Sequence, residues 1–178
     1  MKKLIFILTA LIVIGCKNDK TGNEEQPQQP TAPAGNEFFR ITLDVIAKKD
    51  DAFHVFYTED GGVDFVEENS VWVEFKGSDA SQQLVFDLPK DRIPSQLRID
   101  FGLKDQGDIK INKLNMSYMG KETTISGQDF FKFFRPNEGN TIIDIPAQTL
   151  KAKPAEKFSG PSVYPTELLA PEIDKIIK

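Results

Sequence analysis

From residue 37 onward, apolar residues recur at every second position in short runs separated by turn residues. Phe39, Ile41, Leu43 and Val45 alternate with Arg40, Thr42 and Asp44, which predicts a strand with one face in a core and the other in water. Phe53, Val55 and Tyr57 repeat the pattern with His54 and Phe56 behind them. Val71, Val73 and Phe75 do so with Ser70, Trp72, Glu74 and Lys76 on the opposite side. Leu84, Phe86 and Leu88 come next and end at Pro89. Leu97, Ile99, Phe101 and Leu103 form a further row, backed by Arg98 and Asp100. Those two are read as partners across neighbouring strands.

Residues 108–119 carry a phase change. Ile109 and Ile111 set one phase, while Leu114, Met116 and Tyr118 set the opposite one. An uninterrupted strand that keeps all five on one face needs an extra residue near Asn112–Lys113, a β-bulge. Residues 130–134, FFKFF, have aromatics on both faces and no clear period. Ile142, Ile143 and Ile145 predict a last short strand before Pro146. Seven to nine strands at about ten-residue spacing favour an all-β fold, an antiparallel β-sandwich, over a parallel α/β sheet. Residues 151–164 read as coil. Beyond them Leu169, Ile173, Ile176 and Ile177 fall at helical spacing, with Pro171 in the first turn, so a short C-terminal helix is expected to pack on the sandwich or on a partner. The sandwich is thus bounded at residues 37–150, with 151–178 as an extension bearing the helix.

The first 36 residues follow another logic. Two lysines precede a run that is apolar from Leu4 to Ile14 apart from Thr9 and Ala10, and Val13-Ile14-Gly15-Cys16 closes it. This is the layout of an export signal, and it falls short of the about 20 apolar residues that span a bilayer. Val13-Ile14-Gly15-Cys16 resembles the lipobox of bacterial lipoprotein precursors, and Cys16 is the chain's sole cysteine. The resemblance implies cleavage after residue 15, lipid on the Cys16 sulfur and an acylated new N-terminus. The membrane is then a partner through that anchor. Lys17 rather than Asp after the cysteine would be consistent, within that family, with delivery to the outer membrane, on its periplasmic or outward face. The other reading is an ordinary signal peptide with a chance cysteine. Residues 17–36 contain no large apolar side chain and are rich in Pro, Gln, Gly and Glu, a composition that cannot offset the entropy of ordering. As a tether these 20 residues, at about 3 Å each, would reach roughly 60 Å from the membrane.

Charge narrows the partners. The 178 residues carry a net charge of −5, and losing Lys2 and Lys3 leaves 20 basic against 27 acidic residues, about −7. Such a chain is repelled by phosphate backbones, so nucleic acid is not expected as a partner. With no cysteine left for disulfides, the exported domain must rest on its core.

Catalytic chemistry has little to stand on. His54 is the sole histidine, and the usual serine-nucleophile, zinc-protease and phosphate-loop spacings are absent from the sequence. Acids are abundant enough for a glycoside-hydrolase carboxylate pair, but no motif singles one out. The expectation is a non-enzyme without a cofactor. The acidic loop holding Glu59, Asp60, Asp64, Glu67 and Glu68 lacks EF-hand spacing and reads as solvated, with calcium the alternative and no metal expected. Binding chemistry centres on Trp72, in phase with Glu74 and opposite the core row. Either another element covers it, or an indole and charged groups share an open surface suited to a sugar ring. Trp72, Glu74 and His54 are therefore the candidate ligand-binding residues.

LRIDFG (97–102), DIKINKLNMSY (108–118) and ISGQDFFKFFRPN (125–137) are similar to jelly-roll domains of the galactose-binding-like type. That resemblance covers residues 37 to about 164 and implies a glycan-handling sandwich. The expected function is recognition of a glycan or of an envelope partner protein. A structural accessory subunit is the alternative, and a glycoside hydrolase comes third.

Overall fold

The computed structural model of the protein describes residues 37–178. The segments expected to be an export signal (1–15) and a lipidated Cys16 with its tether (16–36) lie outside the described residues.

Two antiparallel sheets enclose one core. The first contains β1 (Arg40–Ile46), β4 (Gln82–Asp87), β6 (Ile109–Tyr118), β7 (Lys121–Ser126), β9 (Thr141–Asp144) and β10 (Thr149–Ala152). Its order is β4-β1-β6-β10-β9, with β7 sharing an edge of β6. The second is ordered β3-β2-β5-β11-β8, from β3 (Ser70–Phe75), β2 (Asp51–Thr58), β5 (Gln96–Asp100), β11 (Ser162–Pro165) and β8 (Phe134–Pro136). Ile41, Leu43 and Val45 of β1, with Phe39 just before it, share the core with Phe53, Val55 and Tyr57 of β2, and all seven are buried. The fold is thus an all-β antiparallel sandwich, as the alternation predicts.

The bulge stands where the phase change places it. Asp44 pairs with Lys113 and Val45 with Ile111, leaving Asn112 as the extra residue. Ile109, Ile111, Leu114 and Met116 consequently all reach the core. The Asn112 amide donates to Asp44 Oδ1 at 2.9 Å and to Ser81 Oγ at 2.8 Å, so the bulge is fastened to the edge of the sheet. It also makes room for a close backbone approach: a Cβ on Gly127 would sit 2.0 Å from the Ile111 carbonyl oxygen.

Gly127 opens α1 (Gly127–Phe133), a helix in the stretch that shows no clear period. Ser126 caps it, accepting from the Asp129 N–H at 3.3 Å. Phe130 and Phe134 are buried and stack at 4.8 Å. The C-terminal helix α2 (Leu169–Ile177) buries Leu169, Ile173 and Ile176 against β5, β6 and β7, and Thr123 donates to Glu172 at 2.9 Å. Docking on the sandwich, one of the two expected sites, is therefore what orders a helix too short to persist alone.

Two expectations are corrected. Residues 151–164 read as coil, yet β10 runs to Ala152 and Ser162–Pro165 forms β11, so the sheets extend past residue 150. The row of Leu97, Ile99, Phe101 and Leu103 stops one residue early. Gly102 adopts φ +91°, turning the chain out of the sheet and leaving Leu103 66% exposed.

Candidate functional site

Strand register assembles the outer face of the five-stranded sheet. His54 lies opposite Trp72 on β3 and opposite Asp100 on β5, so these three form one row. Phe56 lies opposite Ser70 and Arg98, and Tyr164 opposite Arg135. The acidic loop, residues 59–69, folds over part of this face. Phe65 meets the Tyr164 ring edge-on at 6.0 Å, and Trp72 Nε1 donates to Glu67 Oε1 at 3.1 Å.

Trp72 is 46% exposed while His54 beneath it is only 2% exposed. Their rings stack nearly parallel, 3.8 Å between centroids and 19° between planes. The indole lies over the imidazole like a tile, one face on His54 and the other left to solvent. His54 in turn meets Phe56 at 3.8 Å. The Arg98 guanidinium stands 4.7 Å from the Phe56 centroid and 5.0 Å from that of Tyr164. Such cation–π contacts, with Arg135 5.4 Å from the Tyr164 centroid as well, brace the whole row.

Arg98 and Asp100 do not reach across strands as expected. They pair with one another along β5 in a bidentate fork, Nε to Oδ1 at 2.8 Å and Nη2 to Oδ2 at 2.7 Å. Burial pushes the Asp100 carboxyl above its usual range, opposed by the bonds from Arg98. His54 is held neutral: burial pushes it down to about 4, with Arg98 acting the same way and the Glu67 carboxylate opposing. Among the described residues its Nε2 has no hydrogen-bond partner, the Glu67 oxygen standing 3.7 Å away.

A hollow of about 280 Å³ opens beside Trp72, lined by Arg98, Asp100, Leu103, Asn140, Phe158 and Ser159 among others. Phe158 and Ser159 arrive on the segment before β11, which presses against the turn after β5. A Cβ on Gly160 would lie 1.9 Å from the Gly102 carbonyl oxygen, so only glycine permits this approach. Asn140 stiffens that wall, donating to the Gly160 carbonyl at 2.8 Å. The hollow thus combines two exposed aromatic rings with a paired cation and anion.

Of the three candidate residues, only Trp72 lies at this opening. His54 supports it from below and is buried, 2% exposed, so it bears on the opening through the indole stacked on it. Glu74 is exposed on the same strand face but lines a separate hollow with Asp50, Asp51, Lys76 and Lys104; Leu103 borders both. Phe158 and Ser159 were missed because they sit in a stretch whose Lys, Pro and Gly content reads as coil. Among the described residues no group of three or more His, Cys, Asp or Glu side chains is poised to hold a metal. Glu59 is engaged by Arg92 at 2.7 Å and Glu67 by Trp72, so the acids of the loop serve different partners. No helix among the described residues is long and apolar enough to cross a membrane. No protein-family profile matches the chain, and no curated protein matches it.

Proposed function

We propose that this is a lipid-anchored envelope protein, attached through Cys16 to the outer membrane, whose galactose-binding-like sandwich recognises a glycan without transforming it. The observation that carries the reading is the outward indole face of Trp72. It is held flat by His54 and by Glu67 at the mouth of a hollow that also presents Phe158, Arg98 and Asp100. Sugars offer apolar C–H faces and polar edges, and this surface offers the complement to both. Both Asp100 oxygens are engaged by Arg98, and Glu67 is spent on Trp72, which supports binding over hydrolysis.

A second reading, an accessory subunit docking a partner protein, draws on the β9 edge of the six-stranded sheet. Ile142 and Ile145 (50% exposed) stand on and just beyond the outermost strand β9 beside a hollow of about 550 Å³. One experiment separates the two. Membranes from cells expressing the wild type, Trp72→Ala or Ile145→Asp are solubilised, and the material recovered with each is analysed for sugar and for protein. Sugar lost with Trp72→Ala alone supports the glycan reading. A protein lost with Ile145→Asp alone replaces it with the accessory-subunit reading. Wild type found in the soluble fraction with an unmodified Cys16 removes the anchor.

A further inference from the structure

The geometry points to an uncharged sugar, bound as a single terminal ring, as the ligand of the hollow beside Trp72. This rests on the glycan reading and narrows it in two respects.

The first is charge. Among the described residues, the charged groups lining the hollow are Arg98 and Asp100. They neutralise one another through two short parallel bonds. A uronic or sialic acid would bring a carboxylate to a guanidinium already occupied, beside an aspartate that repels it. Hydroxyl groups meet no such conflict. An Arg–Asp fork keeps outward N–H donors on the guanidinium and spare lone pairs on the carboxylate, so adjacent hydroxyls can donate to one and accept from the other.

The second is size. Pockets for whole small molecules run from about 300 to 1,000 Å³, and this one, about 280 Å³, falls just below that range. Besides Trp72 and the Arg98–Asp100 pair, it is lined by Asn140, Leu103, Phe158 and the touching Gly102 and Gly160 segments. The wall is stiff, because Asn140 binds Gly160 and the Gly102 and Gly160 backbones touch. One ring resting its apolar face on Trp72 and its edge on Phe158 fills the space. A second ring would leave the hollow, so lengthening the chain adds no comparable contact.

Trp72 is the only tryptophan in the chain, so its emission reports directly on the site. The full chain in detergent is titrated with glucose, galactose, mannose, N-acetylglucosamine, their di- and tetrasaccharides, glucuronate and galacturonate. Calorimetry is run in parallel on wild type and Phe158→Ala, a position 40% exposed, whose loss should leave the melting temperature unchanged. At least one neutral monosaccharide is expected to change Trp72 emission saturably. Its tetrasaccharide should bind within about threefold of it, the uronates at least tenfold more weakly, and Phe158→Ala should weaken binding about fivefold or more. Preference for a uronate overturns the charge argument, and affinity rising more than tenfold with chain length overturns the single ring; in both cases the glycan reading survives. Absence of binding by any sugar in the panel and by envelope polysaccharide overturns the glycan reading and this inference with it.

Discussion

The outer faces of the two sheets are built on opposite plans. On the six-stranded sheet, β1 alternates strictly between buried and half-buried positions, and its outer side carries Arg40, Thr42 and Asp44 before ending at Ile46. Arg40 grips Asp87 across to β4 with bonds of 2.6 and 2.8 Å, and Asn115 donates to Thr124 on β7 at 2.9 Å. On the five-stranded sheet, β2 is buried on both sides from Phe53 to Thr58. Its outer side stacks Trp72, His54, Phe56, Arg98 and Tyr164 into one continuous row under a folded loop. Solvating an outer face needs only charged and amide side chains. Burying an outer face under an exposed tryptophan requires a second layer of packing, and that layer is what holds the indole still. The difference is the physical ground for proposing the five-stranded side as the recognition face.

The largest test of this contrast bears on what both sheets share, the inner wall. Inserting one alanine between Lys113 and Leu114 should turn Leu114, Met116 and Tyr118 to the solvent side of β6. Each buried side chain of this kind is worth about 1.5–3 kcal/mol, against a total stability of order 5–15 kcal/mol. The insertion should abolish cooperative thermal unfolding as seen by circular dichroism. Deleting Asn112 instead removes the bulge and leaves simple alternation, with Ile111 and Leu114 still inward. That variant should fold, weakened by the loss of the bonds to Asp44 and Ser81. If the insertion melts like the wild type, the register of β6 is not what sets the core.

A smaller effect separates the outer faces themselves. Thr42 and Phe56 both occupy outward positions in their strands. Phe56→Ala should cost about 3 kcal/mol, the range seen for large-to-small changes in a core, because Phe56 is 7% exposed beneath His54 and Arg98. Thr42→Ala should stay within about 0.5 kcal/mol, as surface changes do. Urea midpoints measure both. Equal costs at the two positions would mean that the outer row of the five-stranded sheet is decoration.

This contrast also explains what could be read from the sequence. Alternation at Phe39–Val45 and the phase slip between Ile111 and Leu114 are dictated by the core, so the inner wall and its bulge were legible. The C-terminal stripe of Leu169, Ile173 and Ile176 was legible for the same reason. The outer row was half legible: His54 and Phe56, both rings, sit where a solvated strand would carry polar residues. Nothing local announced β11, because Ser162–Pro165 is four residues long, follows Pro161 and takes its place from neighbours on β5 and β8. In FFKFF the informative spacing was Phe130 to Phe134, one helical turn, masked by Phe131 and Phe133, which are only half-buried. Leu103 misled because alternation continues through Gly102 in sequence but not in space. Phe158 and Ser159 reach the site through loop geometry that no spacing encodes.

The smallest predicted effect is a pH dependence confined to the five-stranded side. In the unfolded chain a histidine takes up its proton near pH 6.5. In the folded protein His54 does so only at about 4, because burial under Trp72 disfavours the charge, with Arg98 acting the same way and the Glu67 carboxylate opposing. Between those values the unfolded state binds more protons than the folded one, so acid favours unfolding. The contribution is intact above pH 6.5 and is lost progressively as the pH falls towards 4. From pH 7 to pH 5.5 it amounts to about 1 kcal/mol. Asp100, whose carboxyl is raised by burial, pulls the other way at the acid end, so the wild type alone is not decisive. His54→Phe keeps a ring between Trp72 and Phe56 and removes the titration. Urea denaturation followed by circular dichroism at pH 7 and 5.5 should show the wild type losing about 1 kcal/mol more than the variant. Parallel pH profiles would mean that protonated His54 is tolerated in the fold, and that the tile over it lifts at little cost.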